Sequence, residues 1–223
     1  MAYAHIRTAS KAGTGTTSAV DTTGADLIVA FVASYNDTPT PTDSKGNTYT
    51  ALTLRSGGSD ANVKGRMFFC AAPTVGTGHT FTTSSSAVSS AYLAFSGSAA
   101  SPLDQQSTAA ATQPGSVTPT ENDELLVCCY GDASSANPTA INSSFTLEVT
   151  IAGQSSIQPL GAAYLIQTSS AAVNPTWTVS NIYSAVSCIA TFKAAGGGGV
   201  SVRPRLMSGR LVNKGLLLGG LAS

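Results

Sequence analysis

Near neutral pH, general-base chemistry in this chain would fall to two histidines, His5 and His79. They sit in different predicted strands with no acid at a meaningful spacing. His79 opens a stretch that returns later in the chain with Pro175 at the matching place, and a position that accepts proline is a poor base. A nucleophilic serine cannot be picked out by order alone, because a Ser-His-Asp triad is defined by geometry and serine is abundant. The G-x-S-x-G elbow, the phosphate-binding P-loop and the zinc motif HExxH are absent. Cys70, Cys128, Cys129 and Cys188 lie inside apolar runs, and none of their spacings fits a zinc pattern. Cys128 and Cys129 are neighbours in a strand-like run and would point to opposite faces. All four read as buried free thiols of a protein made in a reducing cytosol.

The acids are placed for structure. Asp37, Asp43, Asp60 and Asp132 fall in turn segments, where a short carboxylate bonds the local backbone. Asp43-Ser44-Lys45-Gly46-Asn47 alternates oxygen ligands like a calcium loop, yet Lys45 sits in its middle and no closing acid follows. A hairpin turn is the plainer reading. Glycoside cleavage needs paired acids in a cleft, and carboxylates are sparse here. The sequence therefore predicts no catalytic residue, no cofactor and no metal ligand. Tyr35, Tyr49, Tyr183 and Trp177 could offer faces to a glycan, although Trp177 matches Phe81 of the earlier stretch and reads as core.

Strands must position all of these groups. Runs rich in Val, Ile, Thr, Phe and Tyr are separated by Gly, Pro, Asn and Asp. They predict strands at 5–11, 16–20, 26–35, 47–55, 63–72, 79–83 and 88–97. A second set is predicted at 103–109, 115–118, 123–131, 144–151, 160–168, 175–179 and 183–194. No window carries a helical period of apolar residues with caps.

The two sets say the same thing twice, about 97 residues apart. Met67-Phe68-Phe69-Cys70 returns as Ala163-Tyr164-Leu165-Ile166, and Ala91-Tyr92-Leu93-Ala94 as Ser187-Cys188-Ile189-Ala190. The expected fold is all-β: an antiparallel β-sandwich of two pseudo-repeated units, immunoglobulin- or jelly-roll-like in size. The units would span residues 1–98 and 99–195, with a glycine hinge and extended tail at 196–223. One large sandwich with pseudo-symmetric halves is the other arrangement that fits. The joint Gly97-Ser98-Ala99-Ala100-Ser101-Pro102 is short, so the units should be closely apposed.

Leu27-Ile28-Val29-Ala30-Phe31-Val32-Ala33 and Leu125-Leu126-Val127-Cys128-Cys129-Tyr130 do not alternate, so both their faces must be covered. The cover could be the other repeat, long loops or a neighbouring subunit, and it points to a homo-oligomer. Charged residues are only 10% of the chain, low for a free monomer. Residues 1–199 carry a net −4 and residues 200–223 a net +4. After Gly196-Gly197-Gly198-Gly199 the tail mixes basic and apolar residues. Leu206, Leu211, Leu216, Leu217, Leu218 and Leu221 are the predicted anchors, and Arg203, Arg205 and Arg210 the charges that steer docking onto a partner. The alternative is that the charges keep an apolar tail soluble. Arg203-Pro204-Arg205 is too short to read a nucleic-acid groove and the body is acidic, so no nucleic-acid partner is expected. No run reaches the roughly 18 apolar residues of a membrane span, and Met1-Ala2-Tyr3-Ala4-His5-Ile6-Arg7 lacks the apolar core of a signal peptide.

Certain phrases resemble structural proteins of tailed bacteriophages and prophages. They are Asp21-Thr22-Thr23-Gly24-Ala25-Asp26-Leu27-Ile28-Val29 and the run from Asp43 to Leu52. Ser101-Pro102-Leu103-Asp104, Pro114-Gly115-Ser116-Val117-Thr118, Asn174-Pro175-Thr176-Trp177-Thr178 and the Gly-run followed by Arg-Pro-Arg-Leu add to it. The resemblance implies an all-β virion subunit, assembled in the bacterial cytoplasm, and carries over no catalytic residues. The resulting expectation is a non-enzymatic minor capsid or decoration protein. Its partners would be its own copies, taken as a trimer, and other virion proteins such as the major capsid protein. The alternative is a tail-tip or fibre module that binds host surface glycans.

Overall fold

The structure is a computed structural model that describes residues 2–85, 88–133 and 135–196. Sixteen strands occur among the described residues, and no helix. The first group is β1 (Ala4–Ala12), β2 (Gly15–Thr16), β3 (Leu27–Tyr35), β4 (Thr42–Asp43), β5 (Thr50–Ala51), β6 (Arg55–Ser56), β7 (Val63–Ala71), β8 (Phe81–Thr83) and β9 (Val88–Ser96). The second is β10 (Ser98–Ala109), β11 (Glu124–Gly131), β12 (Asn137–Ile141), β13 (Thr146–Ile151), β14 (Leu160–Gln167), β15 (Trp177–Ser180) and β16 (Val186–Ala194).

They form two large antiparallel sheets. One has the order β1-β9-β3-β7-β5, with β6 also on β7; the other has β10-β16-β11-β14-β13. Numbering only the strands of each path in chain order, β6 set aside, gives the same order, 1-5-2-4-3, in both sheets. Two small sheets, β2-β8-β4 and β12-β15, complete the set. The chain is thus an all-β protein of packed antiparallel sheets.

Period-2 side-chain alternation explains how the sheets stack. On β3, Leu27, Val29, Phe31 and Ala33 enter a central core with Leu125, Val127 and Cys129 of β11 and with Cys188, Ala190 and Phe192 of β16. The opposite face of β3, Ile28, Ala30 and Val32, enters an outer core with Tyr49, Phe81 and Tyr92. The opposite face of β11, Leu126, Cys128 and Tyr130, enters another outer core with Val117, Phe145 and Trp177. The result is four layers: small sheet, large sheet, large sheet, small sheet.

The non-alternating runs are therefore covered within the chain. Each half covers one face of the other, and its own small sheet covers the second face. They need no neighbouring subunit to bury them. Gly65 on β7 and Gly131 on β11 let the large sheets approach: a Cβ on Gly65 would lie 2.5 Å from Val186, and one on Gly131 2.9 Å from Ala33.

Some predicted elements differ. The stretch 115–118 is no strand; Val117 makes a single bridge to Val173. The stretch 47–55 breaks into β5 and β6, both on β7, because the register slips by one residue between the pairs Ala51–Phe68 and Arg55–Gly65. The strand expected at 16–20 shortens to β2. β4 and β12 were not expected, since turn-type Thr-Asp and Asn-Pro carry no strand signal.

Candidate functional site

The reactive groups singled out in the sequence are built into the layers. His79 is fully buried, with Nδ1 2.8 Å from Thr22 Oγ1 and Nε2 3.3 Å from Asp43 Oδ2. Its ring stacks on Phe81, which stacks in turn on Tyr92. The Asp43 carboxylate accepts hydrogen bonds from Tyr49 Oη (2.7 Å), Asn47 Nδ2 (2.9 Å) and the amides of Lys45 (2.9 Å) and Asn47 (3.1 Å). The calcium-like run is thus a turn folded around its own aspartate. Burial pushes the Asp43 pKa up, but the hydrogen bonds from Tyr49 and Asn47 outweigh it and hold the pKa below the ordinary value. Burial, with Asp43 alongside, drives the Tyr49 hydroxyl far above its usual range.

His5 lies where the two halves meet. Its Nε2 is 2.8 Å from Thr8 Oγ1, which donates to Glu148 Oε2 at 2.9 Å, and its ring stacks on Tyr164. A catalytic triad needs the acid on the far ring nitrogen. Here Thr8 and Glu148 (3.8 Å) crowd the same nitrogen, so the group is a polar tie between halves. All four cysteines are free and buried. Cys128 faces the outer core and its Sγ accepts the Trp177 indole N–H at 3.3 Å. Cys129 faces the central core, opposite Cys188 on the neighbouring strand. Burial pushes the Cys188 thiol up to about 12 and raises those of Cys128 and Cys129 as well.

Two carboxyl clusters went unread in the sequence. Asp26 accepts from the amides of Gly97 (2.9 Å) and Ser98 (3.0 Å), which fixes the joint between the large sheets. Asp104 accepts from the Thr120 amide and hydroxyl (both 2.8 Å) and lies 3.5 Å from Lys193 Nζ, which also reaches Glu121. Glu124 is fully buried beside Asp104, and its Oε2 finds no donor. Burial foremost, then the Asp104 charge, raises the Glu124 pKa; burial opposes but hydrogen bonds from Thr120 and Glu124 prevail in lowering that of Asp104. The two neighbouring carboxyls are thus pushed apart, Glu124 toward its neutral form and Asp104 toward its charged one. Glu124 opens a strand 20 residues from Asp104, a spacing with no motif.

Surface chemistry gathers at one end of the sandwich. Asp132 is fully buried and accepts from Tyr130 Oη (2.6 Å) and the amides of Ala133 (2.7 Å), Ser184 (2.6 Å) and Tyr183 (3.2 Å). Ser184 Oγ accepts from the Asp60 amide at 2.8 Å, tying the loop of one half to that of the other. Asp60 Oδ2 accepts from Tyr35 Oη at 2.9 Å. A depression of about 440 Å³ lies beside Tyr35, walled by Gln154, Gln158 and Ser135. Another of about 290 Å³ is lined by Ser59, Thr112, Ile182, Tyr183 and Ser184. Of the aromatic faces named from sequence, Tyr35 and Tyr183 are at this surface, with Tyr183 53% exposed, while Tyr49 and Trp177 are core. Gln154, Gln158 and Ser135 carried no sequence signal.

The predicted docking residues Arg203, Arg205, Leu206, Arg210, Leu211, Leu216, Leu217, Leu218 and Leu221 lie outside the described residues. Among the described residues no group of three or more His, Cys, Asp or Glu is placed to hold a metal ion, and no helix is long and apolar enough to cross a membrane. No protein family, curated protein or solved structure was found to match the chain significantly.

Proposed function

We propose that this chain is a non-enzymatic structural subunit of a tailed-phage particle, a minor capsid or decoration protein that binds the shell and its own copies. The observation that carries the reading is where the polar groups are spent. Asp26, Asp43, Asp60, Asp104 and Asp132 each gather donors from segments distant in the chain or lock a turn. His5 and Ser184 tie one half to the other. Such cross-links favour a rigid body over a mobile cleft. A surface poor in charge supports burial against neighbours, because few ions would have to be desolvated. The phrases shared in style with phage structural proteins supply the setting, and the basic, leucine-rich segment after residue 196 supplies the fastener.

The test is deletion of residues 197–223 in a phage or prophage that encodes the chain. The expected result is a folded body that no longer enters particles, by mass spectrometry of purified virions. Normal content of the truncated protein overturns the proposal.

A further inference from the structure

Beyond an assembly role, we infer that the depression beside Tyr35 is a binding subsite for a neutral saccharide. Its volume, about 440 Å³, lies within the range of small-ligand sites. The lining is uncharged: Tyr35, Ala133, Ser135, Gln154, Ser155, Ser156 and Gln158. An ionic ligand would find no countercharge there. Sugar hydroxyls both donate and accept, and so do glutamine amides and serine hydroxyls. The Tyr35 ring and Ala133 offer an apolar surface for the C–H face of a pyranose.

Two further observations point to a ligand. Gln158 is only 7% exposed, and its Oε1 has no hydrogen-bond partner. That oxygen is itself closed to solvent, so a ligand hydroxyl would satisfy it once the Gln158 amide turns toward the depression it lines. The walls are also fixed in advance. The Tyr35 hydroxyl is held by Asp60 at 2.9 Å. The turn carrying Ser155 and Ser156 is closed by reciprocal backbone bonds between Gln154 and Ile157, both 3.0 Å. Gly153 N bonds Ala136 O at 2.9 Å, joining that turn to the opposite wall. Ser156 holds φ +70°, a conformation that favours glycine, yet a hydroxyl-bearing residue is kept at the rim. A preformed site loses less on binding than a loose one.

The test is a two-dimensional NMR titration of the full chain with methyl glycosides of glucose, galactose and mannose, with N-acetylneuraminate and inorganic sulfate as charged probes. At least one neutral glycoside is expected to shift the amides of residues 153–158 and 135–136 saturably, with a dissociation constant on the order of millimolar. Exposed Gln154→Ala and buried Gln158→Leu should each weaken that binding at least about tenfold. Tyr183→Ala, in the other depression, should leave it unchanged. Absence of saturable shifts at these amides, shifts insensitive to Gln154→Ala, or tighter binding of the charged probes overturns the inference. Particle incorporation is a separate readout, and Gln154→Ala should leave it intact, so the subsite and the assembly role stand or fall independently.

Discussion

The two outer layers cover matching faces of matching strands by different means. In the first, Phe81 is held between His79 and Tyr92, and His79 rests on a buried polar pedestal of Thr22, Asp43 and Tyr49. In the second, Trp177 takes the place of Phe81 and lies against Gly161, where a Cβ would come within 2.6 Å of the indole. Its N–H is satisfied by Cys128 Sγ, and Tyr130 packs beside it. One layer depends on a charge and its hydrogen bonds, and the other on the volume of a single ring. A bigger ring on a glycine does what a smaller ring does with a polar support, so the His79 and Pro175 positions can differ without changing the architecture.

Removing the ring is expected to have the largest effect. Trp177→Ala should cost about 3–5 kcal/mol by urea denaturation, as for other large-to-small changes at buried aromatics. A cost below about 1 kcal/mol would mean the second layer is not organised around that ring. Asp43→Ala should come next, at about 2–3 kcal/mol, because Tyr49 and Asn47 lose a buried acceptor. Its pH signature separates the layers. The Asp43 pKa is lowered by folding, so its stabilisation is present above the unfolded carboxylate value, about 4. It is lost as pH falls through the lower folded value. Asp43→Asn should flatten the acid limb of the stability profile, and Trp177→Phe should lower the whole profile without changing its shape. Equal flattening by both would erase the distinction.

Gly161→Ala should be milder, about 1–3 kcal/mol from overpacking against the indole, and Trp177→Phe should relieve part of it in a double-mutant cycle. Additivity would show that the ring does not need the glycine. The smallest effect is expected at Glu124, where the sign reverses. Its pKa is raised by folding, so its contribution is complete below the unfolded value, about 4.3, and is lost as pH rises through the folded value. Glu124→Gln keeps the shape and never ionises. Its melting temperature relative to the parent should rise from acid to neutral pH, by calorimetry. A difference that stays flat would contradict the upward shift of Glu124.

Much of this was legible in the sequence. The six long central strands were clear because β-branched and aromatic residues run through them. Apolar character on both faces correctly required two covers. Who supplies the cover was not legible, since period-2 alternation fixes faces and not partners. Trp177 declared itself as core through its match to Phe81, and the Asp43 run as a turn through Lys45. Short β4 and β12 were hidden because their residues pair only after the large sheets are built. Asp104 with Glu124, and Tyr35 with Gln158, come together only through pairing of distant strands, and each residue alone looks ordinary.

A central core shared by both halves has a consequence during synthesis. When the first ninety-odd residues have left the ribosome, they can complete one large sheet and its outer layer, but Leu27, Val29 and Phe31 still face water. Their lids come from the second half, β11 early in it and β16 as the last strand among the described residues. Until then the nascent chain presents a flat greasy face whose natural mate has the same strand order. Crowded polysomes would therefore favour wrong-partner pairing between neighbouring chains, and a delay in the second half of translation would lengthen the exposure.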